Sequence, residues 1–504
     1  MACASMFAVS SCGDDEEENG GSSQQSEVKL VSSSIKEGEE VDAYKTTSLT
    51  LTYNGSVSVT SNADVTLNGK KVAIASNTSN TSEVILSFYL EEETSYTLKV
   101  PAGTIKSRTI AKASADEFIL NFRTKKASPS GDDEDMSAVP RLGWGWNLGN
   151  HFDTSSGKDG VPNQWGWWDG ATPTQALYDN LAKIGVTTVR MPVTWGNYQG
   201  EGPEYTISTD YMETVAKNVQ WALDAGLYVV LNTHHDEYWQ DIIGAAADAK
   251  LNTAIEERIT TTWTQIANRF KRANGHLIFE TFNELHDEKW GWNGSYNYNP
   301  VYKLMNEWNQ IAVDAIRATG GKNATRWIGV PGFCANPQFT IKNLTLPKDP
   351  ANHIMVGVHI YDPFNFCTEG SVQRWGHTYR GNSSDEDAIK SLLASLKTAY
   401  VDKGIPCYIG EYGVTVRKNA ADEKYRTYYL EYFCRAAYTY GLPVMLWDNN
   451  NNKTSDGGGE CFYFISHADG TLYNRPLVEL MIKAATSTDP DYTLDSVWDS
   501  APAK

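Results

Sequence analysis

The sequence lacks three features that would each point to a broad class of protein. It has no apolar run of the roughly 20 residues that a membrane-spanning helix needs. Its 504 residues include 62 Asp and Glu against 43 Lys and Arg, a net charge of −19. That balance argues against a nucleic-acid partner, because phosphate binding requires a basic surface. The seven cysteines are scattered without a CxxC pair, so nothing supports a Cys/His hydrolase, and the sequence assigns no disulfide.

Metal and cofactor motifs are missing as well. No glycine-rich phosphate turn follows an early strand, which argues against an open, doubly wound sheet that binds nucleotides. The run His234-His235-Asp236 invites a metal interpretation. Catalytic zinc takes about three protein ligands, however, and no HExxH spacing is present. We therefore predict neither a metal ion nor a cofactor.

Aromatic residues are abundant. They make up 12% of the chain, including 16 Trp and 27 Tyr. In an acidic, globular protein, surplus Trp favours flat platforms for partly apolar ligands such as sugar rings, although many of these residues could equally belong to the core.

The first 26 residues differ from the rest of the chain. Val9-Ser10-Ser11-Cys12 resembles the lipobox of bacterial lipoproteins, in which the cysteine is acylated. No Lys or Arg precedes Cys12, so the charged region of a signal peptide is missing. Either the true translation start lies upstream, which we favour, or the match to the lipobox is chance. An acidic, polar run follows from Gly13 to Gln25 and reads as a flexible tether.

Residues 27–126 are predicted to form a small all-β domain. Short stretches such as Ser48–Tyr53 and Tyr96–Val100 alternate apolar and polar residues, and Asn54-Gly55 and Asn68-Gly69 supply turns. This pattern is typical of a β-sandwich, and the order of segments resembles bacterial Ig-like domains. Without a row of aromatic residues for binding, we predict a spacer. Residues 127–137 then form a Ser, Pro and acidic linker.

Residues 138–504 are predicted to fold as a (β/α)₈ TIM barrel, because eight short apolar segments alternate with helix-length amphipathic segments. The strands are expected near Leu142–Leu148, Thr187–Pro192, Leu227–Asn232, Leu277–Phe282, Arg326–Pro331, Ile354–Tyr361, Cys407–Glu411 and Val444–Trp447. Helices are expected near Thr174–Ile184, Thr209–Ala225, Ala254–Ala273, Pro300–Thr319, Asp385–Val401, Glu423–Tyr440 and Pro476–Ala485.

Two glutamates at predicted strand ends are the strongest candidates for chemistry. Glu284 follows the apolar run LIFETFN, and Glu411 ends the run CYIG. A buried carboxylate is costly unless the site requires it, although each could be an ordinary rim residue paired with a base. In this barrel, active sites lie where strands end. The other predicted strand ends carry mostly polar or aromatic residues too, which packing alone does not explain.

These strand ends resemble glycoside hydrolase family five, the retaining β-glycanases with a (β/α)₈ fold. GWNLGN, RMPVTW, NTHH, FNEL, HIYDP, IGEYG and MLWD occur in family order between residues 145 and 448. The resemblance implies that Glu284 is the acid/base and Glu411 the nucleophile. It further implies a substrate-binding set formed by Trp146, Asn147, Arg190, His234, His235, Asn283, His359, Tyr361 and Trp447.

A retaining mechanism needs one ionised and one protonated carboxyl group roughly 5–5.5 Å apart. We hypothesise that Arg190 keeps Glu411 ionised, while Tyr361 donates a hydrogen bond to the same carboxylate. Asn283 would hold the sugar 2-hydroxyl, and Trp447 would stack beneath the ring.

HIYDPFNF and VPGF resemble the subfamily that cuts β-1,4-glucans: cellulose, mixed-linkage glucan and xyloglucan. A mannanase, a xylanase, an exo-acting enzyme and a non-catalytic glycan binder remain alternatives. The segment 164–170, QWGWWDG, is richer in Trp than the family pattern, which leaves the subsites open. With Cys12 lipidated, the protein would be displayed on a Gram-negative cell surface, or be periplasmic or secreted, with its glycan as partner and the lipid as its membrane contact.

Overall fold

The computed structural model describes residues 27–41, 46, 48–60, 63–77, 80–88, 90, 93–125, 136, 139–154, 171–417, 419–451 and 460–504. The chain forms two compact units, Met1–Lys126 and Ala127–Lys504. Cys12, the acidic tether, most of the linker and the Trp-rich segment 164–170 lie outside the described residues. What was inferred for them stays a prediction.

The first unit is built from β-strands in its described part. They form a four-stranded sheet in the order β1-β3-β8-β7, a two-stranded sheet β10-β4, and a five-stranded sheet β2-β11-β9-β5-β6. The strands are β1 (Leu30–Ser33), β2 (Glu40–Val41), β3 (Ser48–Tyr53), β4 (Val57–Val59), β5 (Thr66–Leu67), β6 (Lys70–Lys71), β7 (Ala73–Ser76), β8 (Glu83–Ser87), β9 (Ser95–Val100), β10 (Ile105–Ser107) and β11 (Phe118–Thr124).

The alternation in the sequence accounts for this arrangement. In β9, Tyr96, Leu98 and Val100 are buried while the residues between them are exposed. Successive side chains of a strand point to opposite faces, so the apolar set forms one core, shared with Leu49 and Leu51 of β3. The prediction of a small all-β domain is confirmed, while its Ig-like identity stays a prediction.

The second unit is a closed barrel of eight parallel strands, as predicted. Each strand pairs with the next along the chain, and the last pairs with the first. The strands are β12 (Trp144–Asn147), β13 (Thr188–Met191), β14 (Tyr228–Asn232), β15 (Leu277–Glu280), β16 (Ile328–Pro331), β17 (Ile354–Ile360), β18 (Cys407–Tyr412) and β19 (Val444–Leu446).

Helices follow the strands and cover the barrel. The seven predicted helices are found, with ends shifted by up to five residues, and shorter ones occur in the loops. They are α1 (Gln175–Lys183), α2 (Thr209–Asp224), α3 (Glu237–Gln240), α4 (Ile242–Ala247), α5 (Ala249–Phe270), α6 (Asn299–Ala318), α7 (Pro337–Asn343), α8 (Phe364–Cys367), α9 (His377–Arg380), α10 (Ser384–Ala399), α11 (Ala420–Thr439), α12 (Arg475–Thr486) and α13 (Leu494–Asp499).

Burial explains why the strand segments read as continuous apolar runs. All seven residues of β17 and all six of β18 are buried, since a barrel strand faces the interior on one side and the helices on the other. Five cysteines in the described part of the chain are buried: Cys334, Cys367, Cys407, Cys434 and Cys461. No described helix combines the length and the apolar character needed to cross a bilayer.

Candidate active site

The loop after β15 carries the first candidate catalytic group. Strand β15 ends at Glu280, and Thr281 and Phe282 lead to Asn283 and Glu284. Asn283 is buried, whereas the Glu284 side chain retains 17% of its exposure. A carboxyl group that is mostly desolvated yet still reachable is suited to proton transfer with a bound ligand.

The second candidate lies on β18, where the strand pairing is irregular. Val358 of β17 pairs with Ile409 and the next residue, His359, pairs with Glu411, so that Gly410 is skipped. A bulge of this kind redirects a side chain at the rim of a barrel. The Glu411 carboxylate is accordingly brought to the same point as Glu284.

The two carboxyl groups lie close together. One oxygen of Glu284, one oxygen of Glu411 and a ring nitrogen of His359 all lie within 4.8 Å of one another. Retaining glycosidases hold their two carboxyl groups at roughly 5–5.5 Å, while inverting ones need a wider gap for a water molecule. This separation therefore suits direct attack by one carboxylate on a bound sugar.

Arg190 of β13 lies beneath both groups. Its Nη1 donates to Oε1 of Glu411 at 2.6 Å, and its Nη2 donates to Oδ1 of Asn283 at 2.7 Å. Nη1 also donates to Oδ1 of Asn147 at 3.0 Å. Arg190 is completely buried, so its charge acts on these partners with little screening by water. The planar guanidinium thus fixes both the nucleophile candidate and the asparagine.

Glu280 is a third buried carboxylate that the sequence analysis did not single out. It accepts from Nη2 and Nε of Arg190 at 2.7 and 3.1 Å, and from Nδ2 of Asn232 at 2.9 Å. Tyr408 of β18 donates its hydroxyl to Glu280 across the barrel interior at 2.6 Å. A Cβ at Gly329 would lie 2.2 Å from that hydroxyl, so β16 must carry glycine there.

The Glu284 carboxyl group keeps its proton to a higher pH than an ordinary glutamate. Burial raises the pKa of Glu284 to about 7, and the positive charge of Arg190 offsets only part of that rise. Nδ1 of His359 lies 2.7 Å from Oε1 of Glu284. Burial lowers the pKa of His359 to about 4, so the imidazole is neutral and orients the carboxyl group without adding charge.

Glu411 has a different environment. Burial raises its pKa above the usual value, and the positive charge of Arg190 opposes that rise. The Tyr361 hydroxyl donates to Oε2 at 2.9 Å while Arg190 occupies Oε1. Two donors on the charged form favour ionisation. Of the two carboxyl groups, Glu411 has the donors that an ionised nucleophile needs, and Glu284 has the raised pKa of an acid.

His234 and His235 lie on the loop after β14, next to Asp153. One ligand atom from each of the three lies within 4.8 Å of the others, a grouping that could hold a divalent cation. Two of the three already have protein partners: Nδ1 of His234 lies 3.1 Å from Nδ2 of Asn232, and Asp153 accepts backbone N–H groups from Asn150 and His151. The absence of a metal stays a prediction.

Trp447 follows β19 and stacks in parallel with His234, with ring centroids 5.9 Å apart. Gly149 lies close to the Trp447 ring, and a Cβ there would lie 2.9 Å from it. Trp447 and His234, which follow β19 and β14, thus form a buried, stacked pair at the carboxyl ends of these strands.

Two residues of the predicted binding set are fully buried beneath the site. Trp146 donates its indole N–H to Asp448 at 3.1 Å, and Asn147 donates to the backbone carbonyl of Gly410 at 2.9 Å. In this structure they contact protein groups rather than the open cleft. Asn147 therefore ties β12 to the bulge that carries Glu411, and Trp146 ties β12 to the end of β19.

Comparison with known proteins identifies relatives of the barrel. A model of the cellulase family, glycosyl hydrolase family 5, matches residues 149–453. Endoglucanase A of Paenibacillus barcinonensis is 34% identical over 368 residues, covering 68% of this chain and 88% of that protein.

Two solved structures are similar as well. A GH5-4 broad specificity endoglucanase from Bacteroides salanitronis is 42% identical, with a TM-score of 0.64, over 69% of this chain and 94% of that chain. A native Bacteroidetes-affiliated GH5 cellulase linked with a polysaccharide utilization locus is 38% identical, with a TM-score of 0.67, over 73% and 96%.

Proposed function

The chain belongs to the cellulase family, glycosyl hydrolase family 5, and from that premise we propose that it is a retaining endo-β-1,4-glucanase. Its substrates are plant cell-wall glucans: xyloglucan, mixed-linkage β-glucan or cellulose. The observation that carries the proposal is the pair of carboxyl groups of Glu284 and Glu411, with oxygens within 4.8 Å of each other. Their environments differ as a double displacement requires.

In the first step, an oxygen of Glu411 attacks the anomeric carbon of the bound glucosyl unit. The glycosidic bond breaks as Glu284 donates its proton to the departing oxygen, which leaves as a hydroxyl group. A covalent glycosyl ester on Glu411 and an ionised Glu284 result. Arg190 and Tyr361, which bind the two oxygens of Glu411, hold the nucleophile in place before and after attack.

In the second step, Glu284 takes a proton from a water molecule, whose oxygen attacks the same carbon and releases Glu411. Two inversions give net retention. Asn283 accepts from Arg190 through Oδ1, and among the described residues nothing accepts from its Nδ2. That amide is therefore available to donate to the sugar 2-hydroxyl, a contact that strengthens towards the transition state.

Substrate choice within the β-1,4-glycans rests on the relatives. The Bacteroides salanitronis enzyme is described as a broad specificity endoglucanase and the Paenibacillus barcinonensis protein as an endoglucanase. These descriptions favour glucans over mannan or xylan for this chain.

The test is reducing-sugar release on barley β-glucan, xyloglucan, carboxymethyl-cellulose, glucomannan and xylan. Wild type is compared with Glu284→Gln, Glu411→Gln and the control Glu307→Gln, an exposed carboxylate on α6 paired with Lys303. We expect activity on at least one β-1,4-glucan, full activity in the control, and a loss of at least about a thousandfold in both site variants.

Proton NMR of the first product identifies the anomer, and an initial α-anomer would contradict retention. A chelator arm tests the prediction that no metal is needed. Binding of glucan without hydrolysis by the wild type would instead favour a non-catalytic glycan-binding protein. Preferred hydrolysis of glucomannan or xylan would favour a mannanase or a xylanase.

The N-terminal segment carries a separate proposal. Cys12 is acylated, the acidic tether follows it, and the β unit is an Ig-like spacer that displays the barrel on the cell surface. Incorporation of radiolabelled palmitate in a Gram-negative host, lost in Cys12→Ala, tests this. Recovery of the unlabelled protein wholly in the cytoplasm would contradict it.

A further inference from the structure

Two tryptophans stand out in the loop between β15 and α6. Trp290 is 44% exposed and Trp292 is 65% exposed, whereas every other tryptophan that the structure describes is buried or half-buried. Exposure of a large apolar ring is unfavourable, and neighbouring exposed rings mark binding surfaces. Neither ring has a role in the carboxyl chemistry described above.

The conformation of Trp290 is also unusual. Its backbone φ is +51°, in the left-handed region that is unfavourable for a bulky residue, and Gly291 follows with φ +77°. The loop is held by Asp287, which accepts the backbone N–H of Gly291 at 2.7 Å and the hydroxyl of Tyr298 at 2.6 Å. The surroundings thus fix an exposed ring in a strained position.

Both tryptophan rings pack against aromatic residues that fix their orientation. The Trp290 ring stacks in parallel on His286, with centroids 3.9 Å apart and an interplanar angle of 6°. The Trp292 ring packs against Phe339 of α7 at 5.0 Å. A Cβ at Gly291, between the two, would lie 2.6 Å from the Phe339 ring. The platform formed by Trp290 and Trp292 is therefore preorganised, which lowers the entropy cost of binding a ligand.

The platform lies in the same loop as Glu284. His286, which stacks on Trp290, is two residues from Glu284. In the barrel order β12 to β19, β15 lies four strands from β19 in either direction. The loop with Trp290 and Trp292 therefore starts at the point of the rim opposite Trp447, which follows β19.

We propose that Trp290 and Trp292 form an aromatic platform that binds the leaving half of the β-1,4-glucan, the sugars released when Glu284 protonates the glycosidic oxygen. This inference rests on the proposed function. A sugar chain that crosses the rim with one unit beside Trp447 runs towards the opposite loop. The C–H faces of its glucosyl rings then stack on the exposed indoles.

The experiment compares two substrates that differ in the leaving half. Barley β-glucan places sugars on the platform, whereas β-cellobiosyl fluoride has a single atom as leaving group and nothing to stack. The measured quantity is the ratio of kcat/KM for the glucan to kcat/KM for the fluoride. Trp290→Ala, Trp292→Ala and the double variant are compared with wild type, and Trp292→Phe tests rescue by another ring.

The matched control is Tyr438→Ala. Tyr438 is 38% exposed and lies in the last turn of α11. A helix of this barrel runs back against its strand, so its carboxyl end lies at the face opposite the active site. Hydrolysis of the fluoride reports in each variant that the barrel is folded.

We expect the ratio to fall about fivefold in each single variant and about twentyfold in the double variant. It is expected to be restored largely by Trp292→Phe and unchanged in Tyr438→Ala. If the ratio is unchanged in the double variant, or if kcat/KM falls equally on both substrates, the platform proposal is wrong while the proposed function stands. Failure of the wild type to hydrolyse either substrate overturns the proposed function and the platform with it.

Discussion

Arg190 donates to Glu411 at 2.6 Å from the interior of the barrel, where neither side chain is appreciably exposed to water. The same guanidinium donates to both oxygens of Glu280, from Nη2 to Oε1 and from Nε to Oε2. One cation therefore serves two buried carboxylates, and each carboxylate depends on it to offset the cost of its desolvation.

Substitution of Arg190 by lysine is expected to reduce both activity and stability. A single ammonium group does not reproduce the four contacts to Glu411, Glu280, Asn147 and Asn283. We expect kcat/KM on glucan to fall at least about a hundredfold and the free energy of unfolding to fall by about 3 kcal/mol. Glucan kinetics and urea unfolding check this, with Arg475→Lys, in an exposed pair with Glu479, as control. Full activity of Arg190→Lys would remove the role assigned to this residue.

The pH dependence of the reaction follows from the two carboxyl groups. The ionised form of Glu411 and the protonated form of Glu284 are active together. Because burial raises the pKa of Glu284 to about 7, kcat/KM should fall as pH rises through about 7. It should also fall as pH drops through the pKa of Glu411, which burial sets above its usual value. A profile of kcat/KM from pH 3 to 10 measures both the acid limb, set by Glu411, and the alkaline limb, set by Glu284. A flat profile up to pH 9 would show that Glu284 is not the acid.

The sequence was sufficient to predict the barrel and to predict which residues meet at the candidate site. Eight apolar segments alternating with helical ones fix a closed parallel sheet, and the carboxyl ends of its strands converge at one rim. That rule brought Glu284, Glu411 and Tyr361 together across the chain. All three make the contacts expected of neighbours in one pocket.

The sequence did not reveal which side chains of the strands point into the barrel and which partners they contact there. Glu280 lies within an apolar strand, and no local pattern indicates that it points inward to Arg190 and Tyr408, a residue 128 positions away. The resemblance implied that Asn147 and Trp146 bind substrate, and the sequence did not indicate that both donate to buried protein groups, as they do in the structure. In the first unit, the parallel pairing of β2 with β11 joins distant segments that periodicity alone does not pair.

Arg326 is a stabilising residue at the start of β15 and β16. Completely buried, it donates to the backbone carbonyls of Phe270, Ala273, Asn274 and Leu277 at 2.7–3.2 Å. Phe270 is the last residue of α5, Ala273 and Asn274 lie in the turn after it, and Leu277 begins β15. We expect Arg326→Met to lower the free energy of unfolding by about 3 kcal/mol, because it removes a buried, charged donor from these carbonyls.

The matched control for Arg326 is Arg475→Met on the exposed side of α12, which should change stability by less than about 0.5 kcal/mol. Urea unfolding of the isolated variants gives both values. Equal stabilities of the two variants would mean that water replaces Arg326 at these carbonyls.

Neutralisation of Glu280 is expected to shift the pH profile rather than only reduce the rate. The negative charge of Glu280 raises the pKa of Glu284. Glu280→Gln removes that charge but keeps an oxygen that accepts from Arg190 and Asn232. The pKa of Glu284 should then fall, and the alkaline limb of kcat/KM should move to lower pH.

Tyr408→Phe is the control, because it deletes the hydroxyl that donates to Glu280 and leaves the charge. Tyr408→Phe should lower the free energy of unfolding by about 1 kcal/mol. The pH at which kcat/KM falls on the alkaline side should not change. If the alkaline limb of Glu280→Gln matched that of wild type, Glu280 would act only by packing around Arg190. If the limb shifted in Tyr408→Phe alone, the hydrogen bond of Tyr408, and not the charge of Glu280, would set the pKa of Glu284.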